Sequence, residues 1–79
     1  MYLTYDPEYN IAYIRLRRRR ANVNTIAVSD ELNVDVGPDG KVYGIELLNS
    51  NQQLGSSRVK KLVFQNRRSG KKSQFALAG

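Results

Sequence analysis

The sequence predicts a mainly β protein, a small antiparallel meander of about five strands followed by a basic segment with a short C-terminal helix. Three observations lead there. Five runs in the first fifty residues alternate apolar and polar side chains. The links between them are short, which favours neighbours in sequence pairing as neighbours in space. One link, Gly37-Pro38-Asp39-Gly40, has the chemistry of a tight hairpin loop. The expected division is a β-meander domain over 1–55 and a basic helix or flexible arm over 56–79.

Taken in order, Tyr2–Tyr5 is a short alternating run that Asp6-Pro7 ends, since proline removes a donor and favours a turn. Asn10 closes that turn, and Ile11–Arg17 resumes the alternation, with Ala12, Ile14 and Leu16 on one face and Ile11, Tyr13, Arg15 and Arg17 on the other. These two runs form a hairpin. Arg17–Arg20 and Ala21-Asn22 make a polar link to a third run, Thr25–Val28, and Ser29-Asp30-Glu31 turns the chain again.

The main hairpin comes next, with Leu32–Val36 and Lys41–Leu48 flanking the loop. Proline pre-sets φ at the first central position, aspartate can bond its own backbone, and the last glycine accepts φ > 0. A three-residue loop closed by a glycine bulge follows, which puts Val36 opposite Val42, Asp35 opposite Tyr43 and Val34 opposite Gly44. On strict alternation Val42 points one way and Tyr43, Ile45 and Leu47 the other. Apolar residues then fall on both faces, so a second layer is required, either a helix or another subunit.

In the remaining segment Ser57 is placed to cap a helix from Arg58, with Val59, Leu62 and Val63 at i, i+3 and i+4. Lys61–Gln65 also reads as a short strand, and helix is the preferred pattern. Residues 67–79, rich in Gly, Ser and Lys, read as flexible.

Composition narrows function by exclusion. With 79 residues the chain buries a modest core, and it contains no cysteine, histidine or tryptophan. Disulfides and thiolate sites are excluded, and the missing residue types speak against acid–base or nucleophilic catalysis. Non-enzymatic, without cofactor or metal, is the expectation. A second copy of the chain is the expected way to complete so small a core. No run of 18 apolar residues exists, and the N-terminus lacks the pattern of a signal peptide, so a cytoplasmic protein without membrane contact is expected.

The stretches Tyr5-Asp6-Pro7-Glu8 and Ala12-Tyr13-Ile14-Arg15-Leu16 resemble the opening of the YuzE-like family of small bacterial proteins. Val28-Ser29-Asp30, Val34-Asp35, Asp39-Gly40 and the run Val42–Asn49 are similar to that family's second half. The resemblance covers residues 2–50. It departs at Asn10, where members often have aspartate, and at Glu31, where they have glycine. The arginine run and the basic tail are not part of the pattern. The resemblance implies a β-rich fold and no established activity. Members are reported beside toxin-like genes, which implies an antitoxin-like partnership with a small toxin.

Two constellations remain. Asp35, Asp39, Gly40 and Glu46 occupy positions 1, 5, 6 and 12 of a calcium-binding loop, but Gly37 stands where a ligand is needed and the flanks alternate as strands. A hairpin turn with surface acids is the better reading. The second is charge. Residues 1–46 hold all seven acids against six basic residues, while residues 47–79 hold seven basic residues and no acid. Arg17, Arg18, Arg19 and Arg20, with Arg58, Lys60, Lys61, Arg67, Arg68, Lys71 and Lys72, are therefore the candidate nucleic-acid-binding residues, and tyrosines 2, 5, 9, 13 and 43 the candidate stacking platforms. No helix-turn-helix or zinc-finger pattern accompanies them, so weak, salt-sensitive binding is expected.

Overall fold

The most apolar strand takes the centre of the sheet. The structure, a computed structural model, describes residues 1–18, 22–55 and 60–77, with Lys60 by its backbone alone. Five strands, β1 (Tyr2–Asp6), β2 (Ile11–Arg15), β3 (Asn24–Ser29), β4 (Leu32–Val36) and β5 (Val42–Leu47), form one antiparallel sheet in the order β1-β2-β5-β4-β3. The expected five-stranded antiparallel sheet is present, with one departure from sequential pairing. β2 lies against β5, so β2, β5, β4 and β3 trace a Greek key. Central places go to the strands with most apolar surface, while β3, exposed throughout, takes an edge. The link between β2 and β3 spans three strand spacings, about 14 Å.

The loop at 37–40 has the expected geometry. Gly37 N–H donates to Lys41 O at 2.9 Å and Gly40 N–H to Gly37 O at 2.9 Å, while Gly40 takes φ 79°. Asp39 Oδ1 accepts from Lys41 N–H at 3.0 Å. Val36 faces Val42 as expected, but the next pairs are Asp35–Gly44 and Val34–Ile45. The expected pairs Asp35–Tyr43 and Val34–Gly44 are thus displaced by one residue. Tyr43 is the extra residue of a β-bulge, and one insertion reverses which face each later side chain takes.

This bulge sorts the faces. Register places Leu3, Ile14, Ile45, Val34 and Ile26 in one row and Tyr5, Ala12, Leu47 and Leu32 in the next row of the same face. Tyr13, Glu46 and Asn33 stand in register on the other face, alongside Thr25 and Asp35. Apolar surface therefore collects on one side, where alternation alone put it on both. Nothing in the described residues stacks over that side as a second layer. Among the described apolar residues only Ala12 is fully buried, and most of the others in these rows are half-buried by strand neighbours alone.

A four-residue helix, α1 (Ser50–Gln53), follows β5. It is anchored by Asn10, which sits at φ 55° in the β1–β2 turn. Ser50 N–H donates to Asn10 O at 2.9 Å, and Asn51 N–H to Asn10 Oδ1 at 2.9 Å. Asn10 Nδ2 donates in turn to Asn51 Oδ1 at 2.7 Å. Ser50 is completely buried in this clamp. The other end of α1 is tied by Gln53 Nε2, which donates to the carbonyl of Glu31 at 2.9 Å.

Beyond α1 the expected helix is corrected to a strand. β6 (Lys60–Gln65) pairs with β7 (Lys72–Leu77) as a separate antiparallel hairpin. The same pairing corrects the expectation that residues 67–79 are flexible, since 72–77 are strand. The proposed cap Ser57 and the first helical positions Arg58 and Val59 lie outside the described residues. The physical reason is the turn between the strands. Asn66 Oδ1 accepts from Arg68 N–H at 2.9 Å and Ser69 N–H at 3.2 Å, and Gly70 takes φ 75°. That turn brings a pairing partner to Leu62 and Phe64, whose alternation then outweighs a three-residue helical stripe. Among the described residues no helix is long and apolar enough to cross a membrane.

Replacing Gly40 by valine forces a β-branched residue to φ > 0, at a cost on the order of 1–3 kcal/mol. The thermal midpoint should fall by about 4 °C or more for a domain of this size. An unchanged midpoint would refute the turn's role.

Candidate interaction surfaces

Three surfaces emerge from this placement: a polar cleft on one face of the sheet, the apolar face opposite, and the β6–β7 hairpin. The cleft is organised around Asp35. Tyr13 Oη donates to Asp35 Oδ2 at 2.7 Å and Thr25 Oγ1 to Asp35 Oδ1 at 2.6 Å. Asn33 Nδ2 donates to Glu46 Oε1 at 3.0 Å beside them. Arg15 lies over the Tyr2 ring at 4.7 Å and Arg17 over the Tyr43 ring at 5.9 Å, both within cation–π range. Tyr13, Arg15, Arg17, Thr25, Asp35, Tyr43 and Glu46, together with Val23, enclose a shallow cleft of about 470 Å³.

Two glycines make room for the cleft's aromatic floor. A Cβ at Gly44 would overlap Tyr13 Oη and Cζ, and one at Gly37 would overlap Tyr43 Cε1. Tyr13 crosses Gly44 on the neighbouring strand, where any side chain would push its hydroxyl off Asp35. Neither glycine has positive φ; each is required for space.

The candidate calcium ligands are dispersed by the same geometry. Asp35 is held within β4 by Tyr13 and Thr25, Asp39 accepts from Lys41 in the turn, and Glu46 accepts from Asn33. Among the described residues no group of three or more acidic side chains gathers as a metal site would require.

The basic residues divide. Arg17 belongs to the cleft, and Arg18 lines a second shallow depression with Met1, Tyr2, Arg15, Leu16 and Arg17. Arg19, Arg20 and Arg58 lie outside the described residues. Lys60 opens β6, followed by exposed Lys61. Arg67, Arg68 and Lys71 stand exposed in the β6–β7 turn, and Lys72 opens β7, also exposed. Of the tyrosines proposed for stacking, Tyr13 and Tyr43 line the cleft, Tyr2 carries Arg15, and Tyr9 is exposed in the first turn. Tyr5 stands opposite Ala12 on the apolar face.

What sequence reasoning missed is the Asn10–Ser50 clamp and the cleft. The clamp's only advance signal is Asn10 and the Asn49-Ser50-Asn51 triplet, polar residues tolerant of left-handed backbone at the ends of strands. The cleft had no signal, because its members come from four strands.

A family model described as "Protein of unknown function (DUF2283)" matches residues 3–50. That is more than half of the chain. The chain belongs to this family. The match runs from β1 to Ser50, so the family unit is the five-stranded sheet together with the residue that clamps it, and the β6–β7 hairpin falls beyond the match. No curated protein and no solved structure matches the chain.

Gly44→Ala should lower stability by about 1–3 kcal/mol, as overpacking does. In a Tyr13→Ala background the same change should cost much less, because the overlapping ring is gone. Equal costs by chemical denaturation in both backgrounds would show that Tyr13 does not occupy that space.

Proposed function

We propose that this chain is a non-enzymatic protein-interaction module that pairs with a second copy of itself through the apolar face of its sheet. The observation that supports this reading is the uncovered apolar face. Leu3, Ile14, Ile45, Val34 and Ile26 stand in one row and Tyr5, Ala12, Leu47 and Leu32 in the next, yet among the described apolar residues only Ala12 is fully buried. An exposed apolar patch of this kind marks an interaction site. The face in question gathers the apolar side chains of all five strands on one side of the sheet. Two such sheets stack about 10 Å apart with their side chains interleaved, and a twofold axis satisfies both at once. Pairing would leave each polar cleft facing outward.

The YuzE-like resemblance over residues 2–50 adds a proposed partner class, a toxin-like protein held in an antitoxin-like pairing. A cytoplasmic setting is proposed with it, in keeping with the absence of cysteine. Catalysis is not part of the proposal, because the sequence has neither histidine nor cysteine and the cleft's two carboxylates are engaged by neighbouring side chains.

Ile26 provides the test. It lies in the apolar row on edge strand β3 and is 51% exposed, so a charge there leaves the single sheet intact. Sedimentation velocity at tens of micromolar should show a dimer for the native chain. Ile26→Glu should sediment as a monomer with an unchanged far-ultraviolet spectrum. A native chain that is monomeric at every concentration would overturn self-pairing.

A further inference from the structure

The β6–β7 hairpin is a two-faced ribbon. Register places Leu62 opposite Phe75, with Phe64 and Leu77 on the same side. The other side presents Lys61, Gln65, Lys72 and Gln74, with Val63 and Ala76 among them. At the turn Arg67, Arg68 and Lys71 are exposed, and the bonds to Asn66 hold that loop in shape. No acidic residue occurs anywhere in 47–79, so nothing local cancels this charge.

We propose that the polar side of this ribbon enters the major groove of duplex DNA. The groove, about 12 Å wide, admits a two-stranded ribbon. Arg67, Arg68 and Lys71 at the turn meet backbone phosphates, with Lys61 and Lys72 contributing along the strands. Gln65 and Gln74 present amides of the kind that pair with adenine edges, and Val63 and Ala76 present apolar surface of the kind that meets a thymine methyl. The opposite side, with two phenylalanines, is the side turned from the nucleic acid. A helix with the same residues would spread these cations around its circumference; the ribbon puts Lys61 and Lys72 on one side and gathers Arg67, Arg68 and Lys71 at its turn. B-form DNA is favoured over duplex RNA, whose major groove is too narrow for side chains to read. This proposal rests on the hairpin and stands apart from pairing through the sheet.

The test uses the full chain with a mixed-sequence 20-base-pair DNA duplex, the same sequence as duplex RNA, and polyglutamate as an acidic polymer, each over a salt series. Five ribbon cations on phosphates predict a slope of log K against log salt of about −4.5, at roughly 0.9 per phosphate. Arg67→Gln with Arg68→Gln should make that slope shallower by about 1.8, and the same pair of changes at Arg17 and Arg18 should leave it unaltered. All four positions are exposed or lie at the sheet's margin, and an unchanged far-ultraviolet spectrum will report that the variants fold. DNA binding should exceed RNA binding by tenfold or more. Equal affinity for the two duplexes would overturn groove entry. Binding to polyglutamate but not DNA would overturn the proposal in favour of an acidic protein surface. A slope that responds to Arg17 and Arg18 rather than to Arg67 and Arg68 would also overturn it, by moving the contact to the β2–β3 link.

Discussion

Strict alternation along β5 would put Tyr43 on the same face as Ile45 and Leu47, and the sheet's design depends on its not doing so. The bulge at Tyr43 adds one residue between Val42 and Gly44, so Val42 and Ile45 share the apolar side while Tyr43 turns to the polar one. The carbonyl of Tyr43 accepts from both Leu16 and Arg17, which ends the β2–β5 pairing at the same level. One inserted residue thus gives the sheet an apolar side and a cleft side. It also brings Gly44 beneath Tyr13, and with it the hydroxyl that reaches Asp35.

A sheet sorted in this way is incomplete alone. Residues at the centre of a single layer are half covered by their strand neighbours, which explains why Ala12 alone among the described apolar residues is fully buried. The polar clamp at Asn10 and Ser50 and the Gln53 contact fix the strand ends, but they bury little apolar area. Hydrogen bonds of this kind contribute about 1 kcal/mol each, far less than an apolar layer of this width. Cohesion in the sheet therefore comes from cross-strand pairs, and the missing layer is the physical basis for the proposed pairing.

The hairpin beyond the family match has the same need on a smaller scale. A lone two-stranded hairpin is marginal in water, and Phe64 and Phe75 are 65% and 54% exposed. Its polar side is rich in positive charge and its other side in apolar area, so the two sides call for different neighbours. Charge in this chain is separated by element: the acids belong to the sheet and its turns, the unbalanced cations to the ribbon.

How much of this was legible in the sequence depends on the range of the interaction. Local chemistry was: Pro38, Asp39 and Gly40 specify their loop through backbone preferences of three adjacent residues, and the period-two runs specify strands wherever the partner is close in sequence. The charge division at residue 46 was equally plain. Three features were decided only in the tertiary structure. β2 beside β5 is a competition among strands for central places. The Tyr43 bulge is the shift that brings the apolar residues of β5 into line with those of β4 and β2, which no single run can express. Leu62 and Phe64 became strand because residues 72–77 returned to pair with them; a short apolar run is ambiguous until its partner is present. The cleft depends on all of these, since Tyr13, Thr25, Asp35 and Glu46 come from four strands and meet only once register is set.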